Sequence, residues 1–357
     1  MKRTLFFTLL LLVLPTLFLG QAPIPRSLPE DAKLVVHVID VGMGDAIFLD
    51  IPPKDCMLID GGSWDKPGVE NLKEFLKEFF DDPDHAGYKK TLDVVVASHQ
   101  HHDHIAGLIE VLKAYKVETY VDNGIGWKKA KNSATDEVDE IDKLILQKKI
   151  RHLAITDELI NEEGKNGVYT DKDLDPFDNI DVFALAGSPT PIEKEPNDNS
   201  IILRIECGKL SFLLAGDAQE KEEKRVIKKF KDEGKLSILD VDVYKASHHG
   251  SNTSNSGEML RATTPLISVI SVGKAEESSK TRQFRLPKES AVDTILYYTS
   301  NILPDTWEAD VYPDKAPKNK KEERPKKISS RKEVYLTSSD GTVVIRTDGK
   351  TVKVDEE

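Results

Sequence analysis

The sequence predicts an α+β fold of sheets covered by outer helices, and three observations carry that expectation. Apolar, strand-like runs are followed by single helical segments in two successive halves of the chain. The polar run His99-Gln100-His101-His102-Asp103-His104 directly follows one such strand, Leu92 to Ser98. A second histidine cluster, Ser247-His248-His249-Gly250-Ser251, follows another apolar run at 238–246. Composition agrees: of 357 residues 39% are hydrophobic and 31% charged, enough for a full core. No internal repeat is evident.

The elements follow in order. Residues 34–40, 45–51 and 56–59 read as three strands of a meander, broken by glycines, Pro52-Pro53 and Gly61-Gly62. Residues 69–80 form an amphipathic helix with Val69, Leu72, Phe75, Leu76 and Phe79 on one side. The strand at 92–98, a helix at 105–116 and a helix at 137–148 come next. Residues 180–185, 200–206 and 210–215 are strands, and 219–232 is a highly charged helix. Strands at 238–246 and 266–272 and a helix at 289–298 complete the body. Residues 313–332 are rich in Lys and Pro and read as a flexible segment, with nine basic side chains against Glu322 and Glu323 within 315–332. A C-terminal hairpin is expected within 333–354, from strands 333–336 and 342–347 around Ser338-Ser339-Asp340-Gly341, since Asp-Gly suits a tight turn.

The first residues read as targeting rather than fold. Lys2 and Arg3 precede the apolar run Leu5 to Leu19, and the small residues Gly20 and Ala22 follow. A signal peptide over 1–22 is expected, with export to a secreted or periplasmic location. Bulky Phe18 makes the cleavage signal imperfect, and an uncleaved N-terminal membrane anchor is the alternative. No cysteine lies near the cut, so lipid modification is unsupported. The only cysteines, Cys56 and Cys207, both lie in apolar runs and read as buried small hydrophobes rather than a disulfide.

The polar run after residue 98 carries the chemistry. Imidazole and carboxylate suit zinc, manganese or iron. His99 and His101 are separated by one residue, so on an extended segment they share a face. Asp103 and His104 come where the chain turns into the next helix, which can aim them at a second point nearby. One loop would then serve two adjacent ions. A polar loop or an expression tag is the plain alternative. A tag does not suit a run that is internal, irregular and holds four of the nine histidines in the chain.

His-x-His-x-Asp-His after a strand resembles the signature of the metallo-β-lactamase superfamily. Val38 to Ile47, Met57 to Gly62, Asn197 to Arg204, Phe212 to Asp217 and the Ser-His-His-Gly-Ser cluster further resemble the hydrolase domain of ComEC-type DNA-uptake proteins. The resemblance runs in order from about Leu34 to Gly273 and returns near Val334 to Gly349. It implies one domain, at 33–300 with the C-terminal hairpin belonging to it, although length alone would allow two. The implied fold is an αββα sandwich of two mixed sheets with outer helices.

The resemblance also implies a site for two divalent metal ions, zinc or manganese. His99 and His101 would bind the first ion, Asp103 and His104 the second, and Asp217 would bridge them. Asp103 and Asp217 would be the catalytic carboxylates. Asp217 also suits the N-cap of the charged helix just beyond it, and the two roles are compatible. His248 is taken to complete the second site, leaving His249 to face substrate or a neighbouring ligand. Asp60, before two glycines, is expected to orient the metal loop. Asp45, in the tight loop Gly42-Met43-Gly44-Asp45, is expected at the mouth of the site.

Two departures from the family pattern stand out. Many members place another histidine on the first ion, but the only histidine between His104 and Asp217 is His152, which carries no motif. The matching stretch reads Asn197-Asp198-Asn199-Ser200, so Asn199 and Ser200 are expected near the site and the first ion is expected to be weakly held. The second departure is a missing Gly-His-Pro after Ser271 to Lys274. Lys274, Arg282 or Arg285 could face a phosphate there, or be plain surface cations.

The implied activity is metal-assisted hydrolysis through a metal-activated hydroxide. A phosphodiester substrate, including nucleic acid, is the leading expectation. A small amide, ester or lactone, including a β-lactam, is the alternative within the same chemistry. A non-catalytic metal- or surface-binding module is the alternative from another class. The formal net charge of −12 repels a polyanion on average, so DNA would need a local basic patch, for which 315–332 is the candidate.

Overall fold

Eight strands form the first sheet: β1 (Leu34–Val38), β2 (Ile47–Ile51), β3 (Asp55–Ile59), β4 (Thr91–Val96), β5 (Lys116–Asp122), β6 (Arg151–Ala154), β15 (Val343–Thr347) and β16 (Val352–Val354). Their order is β16-β15-β1-β2-β3-β4-β5-β6. The computed structural model describes residues 32–62, 68–125, 135–190, 192–274, 284–315 and 325–355. The expected signal segment 1–22, Arg282 and residues 316–324 of the basic stretch lie outside the described residues.

The second sheet holds β7 (Asp181–Ala186), β8 (Ile202–Cys207), β9 (Leu210–Leu214), β10 (Val243–Lys245), β11 (Ile267–Ile270) and β14 (Val334–Leu336), in the order β14-β11-β10-β9-β8-β7. Both sheets are mixed. β3 to β6 run parallel and β1 to β3 antiparallel; β9, β10, β11 and β14 run parallel and β7 to β9 antiparallel.

The period-2 alternation of the strands builds the layers. Leu34, Val36 and Val38 of β1, Val94 and Val96 of β4, and Leu210, Phe212 and Leu214 of β9 share one core between the sheets. Val95 of β4 faces the other way, onto α1 (Gly68–Asp81), α2 (His102–Ala114) and α3 (Thr135–Lys148). Leu213 of β9 faces outward with α5 (Glu220–Asp232), α6 (Gly257–Thr263) and α7 (Glu289–Tyr298). Short α4 (Asp157–Glu163) puts Ile160 into the inner core. The result is the expected αββα sandwich, with each fully buried large side chain contributing about 1.5–3 kcal/mol. Cys56 and Cys207 are both buried and free. Among the described residues no helix is long and apolar enough to cross a membrane.

Several elements differ from expectation. α2 begins at His102, not 105, so Asp103 and His104 lie in its first turn. β5 and β6 were not anticipated, because charged residues interleave their apolar ones; His152 falls in β6, paired with Asp122 at 3.0 Å and remote from the histidine clusters. Of 238–246 only β10 is strand, since Asp240 and Asp242 spend the preceding residues on turns and on the Ser211 amide.

The hairpin around Asp340-Gly341 is corrected. β14 joins the second sheet and β15 the first, so the two expected hairpin strands lie in different sheets. Asp340 instead accepts the Leu336 amide (2.7 Å) across a helical turn that carries the chain between sheets. The hairpin is β15–β16, turned by Asp348-Gly349, where Asp348 accepts the amides of Lys350 and Thr351. The segment expected to be flexible over 313–332 includes strand β13 (Lys326–Lys332), paired antiparallel with β12 (Ile302–Val311).

Candidate metal centre

The histidine and aspartate clusters meet at the C-terminal ends of β3, β4, β9 and β10. After β4, the Ser98 amide and hydroxyl each donate to Asp60, at 2.7 Å, which fixes the loop that carries His99 and His101. Asp60 sits just past β3 in the left-handed region (φ 62), and its second oxygen also receives His104 Nδ1 at 2.8 Å. One buried carboxylate therefore orients both the loop and the His104 ring, leaving His104 Nε2 directed inward. The Gly42-Met43-Gly44 loop crosses directly over Asp103. Gly44 has φ +120, and a Cβ there would lie 2.1 Å from the Asp103 carbonyl oxygen, which explains a glycine at that position.

Asp217 enters from the second sheet, three residues past β9. Its amide donates to Ser200 Oγ at 3.3 Å. Its two oxygens face different groups. Oδ1 lies 3.4 Å from His249 Nε2; Oδ2 lies 3.2 Å from His104 Nε2 and 3.9 Å from His99 Nε2. His99 Nε2 is in turn 3.0 Å from His101 Nδ1. Two sets that share Asp217 result, each compact enough for one ion: His99, His101 and Asp217, and Asp103, His104, Asp217 and His249; Asp45, Asp60 and His104 form a third close group. With metal–ligand bonds of about 2.1 Å, two ligand atoms on one ion stand roughly 3–4 Å apart, and the ligand atoms of each set lie within 4.8 Å of one another.

The donor set fits divalent cations on a further observation. His104 Nε2, His249 Nε2 and Asp217 Oδ1 are buried and have no hydrogen-bond partner. Leaving such atoms unsatisfied costs about 1–3 kcal/mol each, and a cation between them removes that penalty.

His248 was expected on the second ion and His249 beside it, and the two rings occupy different positions. His249 is fully buried, with Nε2 3.6 Å from Asp103 Oδ2, while Nδ1–H donates to the Ser271 carbonyl at 3.1 Å. His248 is partly exposed on the cleft side, with Nε2 3.9 Å from Asp217 Oδ2. Both have positive φ (50 and 53), and the adjacent rings are inclined by 74°.

The field of the site follows from these contacts. Burial and the neighbouring His104 and His101 push His99 well below its usual value, so it is neutral and able to ligate. Burial opposes the charged form of His104, yet Asp217 and Asp60 outweigh it and hold the imidazole well above its usual value. His249 behaves likewise, burial being outweighed by Asp217 and Asp45. Burial works against ionising Asp217, but His249, His104 and His248 hold its carboxyl well below the usual range.

Asp45 is not at the mouth of the site but beneath it, 1% exposed and paired with the equally buried Lys245. Its other oxygen lies 3.5 Å from His249 Nδ1. Lys245 was missed in the sequence, although a lysine in an apolar strand three residues before His248 was a visible signal. Asn199 is fully buried and pins its own loop, accepting the Glu193 amide (2.9 Å) and donating to the carbonyls of Glu193 and Glu195. Asn197, not Asn199, reaches the site. Lys274 is exposed and stands outside the cleft lining.

A cleft of about 480 Å³ opens over the clusters, bounded by His101, Asp103, Asp217 and His248 and walled by Met43, Phe284 and Leu286. Among the described residues the lining holds no lysine or arginine, and Glu195 adds a carboxylate. Such a cleft can take a small group or a short segment of a longer substrate beside the metal ligands.

Residues 39–274, well over half of the chain, match the family model of the metallo-beta-lactamase superfamily. The chain is 28% identical over 252 residues to "ComE operon protein 3" of Bacillus subtilis (strain 168), covering 67% of this chain and 28% of that protein. It is 36% identical over 81 residues to "Competence protein ComA" of Neisseria gonorrhoeae, covering 23% of this chain and 11% of that protein. The chain thus spans less than a third of the length of these curated relatives. Among solved structures, Igni18, a metallo hydrolase from Ignicoccus hospitalis KIN4/I, aligns at 14% identity and a TM-score of 0.40, covering 83% of this chain and 98% of that one.

Proposed function

This chain belongs to the metallo-beta-lactamase superfamily and resembles its ComEC-like branch, and from that premise we propose that it is an exported two-metal phosphodiesterase, with nucleic acid as a candidate substrate. The observation that carries the two-ion reading is Asp217, whose two oxygens face different imidazole groups. His99 and His101 would hold one ion, with Asp217 shared; Asp103, His104 and His249 would hold the other. A bound pair of divalent ions supplies Lewis acidity and a hydroxide nucleophile near neutral pH. The chain's own residues do the rest. Asp60 fixes the orientation of His104, Ser271 fixes that of His249, and the apolar wall of Met43, Phe284 and Leu286 excludes water from one side of the cleft. The competence names of the relatives favour a phosphodiester, and the basic run followed by apolar residues at 2–19 supports export.

A second reading has one specific observation behind it. Among the described residues the cleft lining carries no lysine or arginine, and the net charge is −12, which suits a small ester or lactone better than a long polyanion. Metal content and hydrolysis of bis(p-nitrophenyl) phosphate and of a chromogenic β-lactam, measured on one preparation with Asp217→Ala alongside, separate the two. Phosphodiester turnover that vanishes in the variant supports the leading reading. β-Lactam turnover without phosphodiester turnover replaces it.

A further inference from the structure

We infer that the two consecutive histidines divide between the two ions, with His248 serving the ion held by His99 and His101, and Asn197 standing beside it as an auxiliary group. The inference rests on the two-ion reading above and assigns a ligand that reading leaves out.

The contacts of the two rings set them apart. His248 Nε2 faces Asp217 Oδ2 at 3.9 Å, the oxygen that His99 Nε2 faces at 3.9 Å and that buried His104 Nε2 faces at 3.2 Å. His249 Nε2 faces the opposite oxygen, Oδ1, at 3.4 Å. The two rings are 6.2 Å apart and inclined by 74°, so one ion cannot be their common target in this arrangement. His248 Nδ1 lies 3.1 Å from Thr253 Oγ1, which fixes the ring and leaves Nε2 turned to the cluster.

Asn197 adds an independent observation. Its side chain is 3% exposed, its amide nitrogen lies 3.4 Å from His248 Nε2, and its buried Oδ1 has no hydrogen-bond partner. An unpartnered acceptor beside that imidazole, within the cleft lining, suits a cation or a water attached to one. The set of His99, His101 and Asp217 supplies three protein groups, and a tetrahedral ion takes a fourth. His248 stands just outside that compact set, at the cleft wall, so it would be the most readily released member. The first ion would then respond to whatever enters the cleft, while the second, enclosed by buried His104 and His249, would not.

The test is calorimetric titration of Mn²⁺ into the metal-free full chain. The wild type takes up two ions. His248→Ala weakens one site at least tenfold and leaves the other within twofold, and retention of that other site reports a folded centre. His249→Ala weakens the other site. The double variant His101→Ala/His248→Ala still binds one ion, because both residues serve the same one. Two unaltered sites in His248→Ala, or loss of both ions in the double variant, overturns the inference and leaves the two-ion reading standing. A wild type that takes up fewer than two ions overturns the two-ion reading itself, and the inference with it.

Discussion

Lys245→Met tests how the floor of the site is held. Lys245 and Asp45 are 2% and 1% exposed and form an ion pair, with His249 Nδ1 3.5 Å from the other Asp45 oxygen. Methionine keeps most of the apolar stem, so lost packing contributes less than about 1.5 kcal/mol. Removing the ammonium leaves a buried carboxylate without its main partner, which costs about 3–5 kcal/mol. The double variant Asp45→Asn/Lys245→Met removes both charges, and loses far less than the single one. The pH dependence has a definite sign. Burial raises the Asp45 pKa, but Lys245 and His249 outweigh it and hold the carboxyl well below the usual range. Its stabilising contribution is therefore present above the unfolded value, about 3.9, and is lost as pH falls below it. The gap between wild type and Lys245→Met should narrow below about pH 4. Urea unfolding of the metal-free proteins, at pH 7 and pH 3.5, reads both effects. At a slope of about 2–3 kcal/mol per molar, the expected loss moves the midpoint by roughly 1–2 M. A loss under about 1 kcal/mol in the single variant, or an equal loss in the double one, would refute the reasoning.

Three further outcomes are expected. His37 of β1 packs edge-on against Phe75 (5.0 Å between ring centres), and burial, aided by Arg346, lowers its pKa to about 3. Because the unfolded chain binds the proton first, stability contributed by neutral His37 is present above about pH 6.5 and falls by up to about 1.4 kcal/mol per unit down to about pH 3. His37→Phe should flatten urea midpoints across that window, and an unchanged slope counts against the assignment. Gly107→Ala places a Cβ 2.0 Å from the Gly61 carbonyl oxygen and must push α2 off the end of β3. A loss of about 1–3 kcal/mol, with weaker Mn²⁺ uptake through Asp103 and His104, is the predicted result, and wild-type thermal stability would contradict it. Metal loading must also displace protons, because carboxylates hold His104 and His249 well above their usual values against burial. Affinity should therefore fall from pH 8 to pH 6, with buffer-dependent titration heats; equal affinity at both pH values excludes this.

The sandwich was legible because its strands alternate cleanly and because both histidine clusters sit where apolar runs stop. That the loop at 99–104 concentrates possible metal ligands could be read from residue type and spacing, while their division between ions came from the family resemblance. What the sequence could not say was which neighbour each side chain would meet. His248 and His249 are indistinguishable as letters; their tertiary contacts separate them, and local propensity does not encode that choice. Asn199 looked as suitable as Asn197, but its amide is taken up by the Glu193 and Glu195 backbone. β5 escaped notice because Lys116, Glu118 and Asp122 dilute an apolar pattern whose packing partners are supplied by β4 and β6. Asp340-Gly341 carried a sound turn signal, but a turn motif does not specify whether the strands it joins will pair with each other.

The pairing of Leu34 with Thr347 has a consequence in time. β1 obtains its outer neighbour only when β15 arrives, after nearly the whole body of the fold has been made. Until then β1 presents an open row of backbone donors and acceptors on the flank of a half-built sheet. Non-local pairing of this kind slows folding, since the loop entropy is lost before the contacts return it. During synthesis the nascent chain thus spends its longest interval with that edge unsealed, the stage at which it is most open to capture by a chaperone or by another copy of itself.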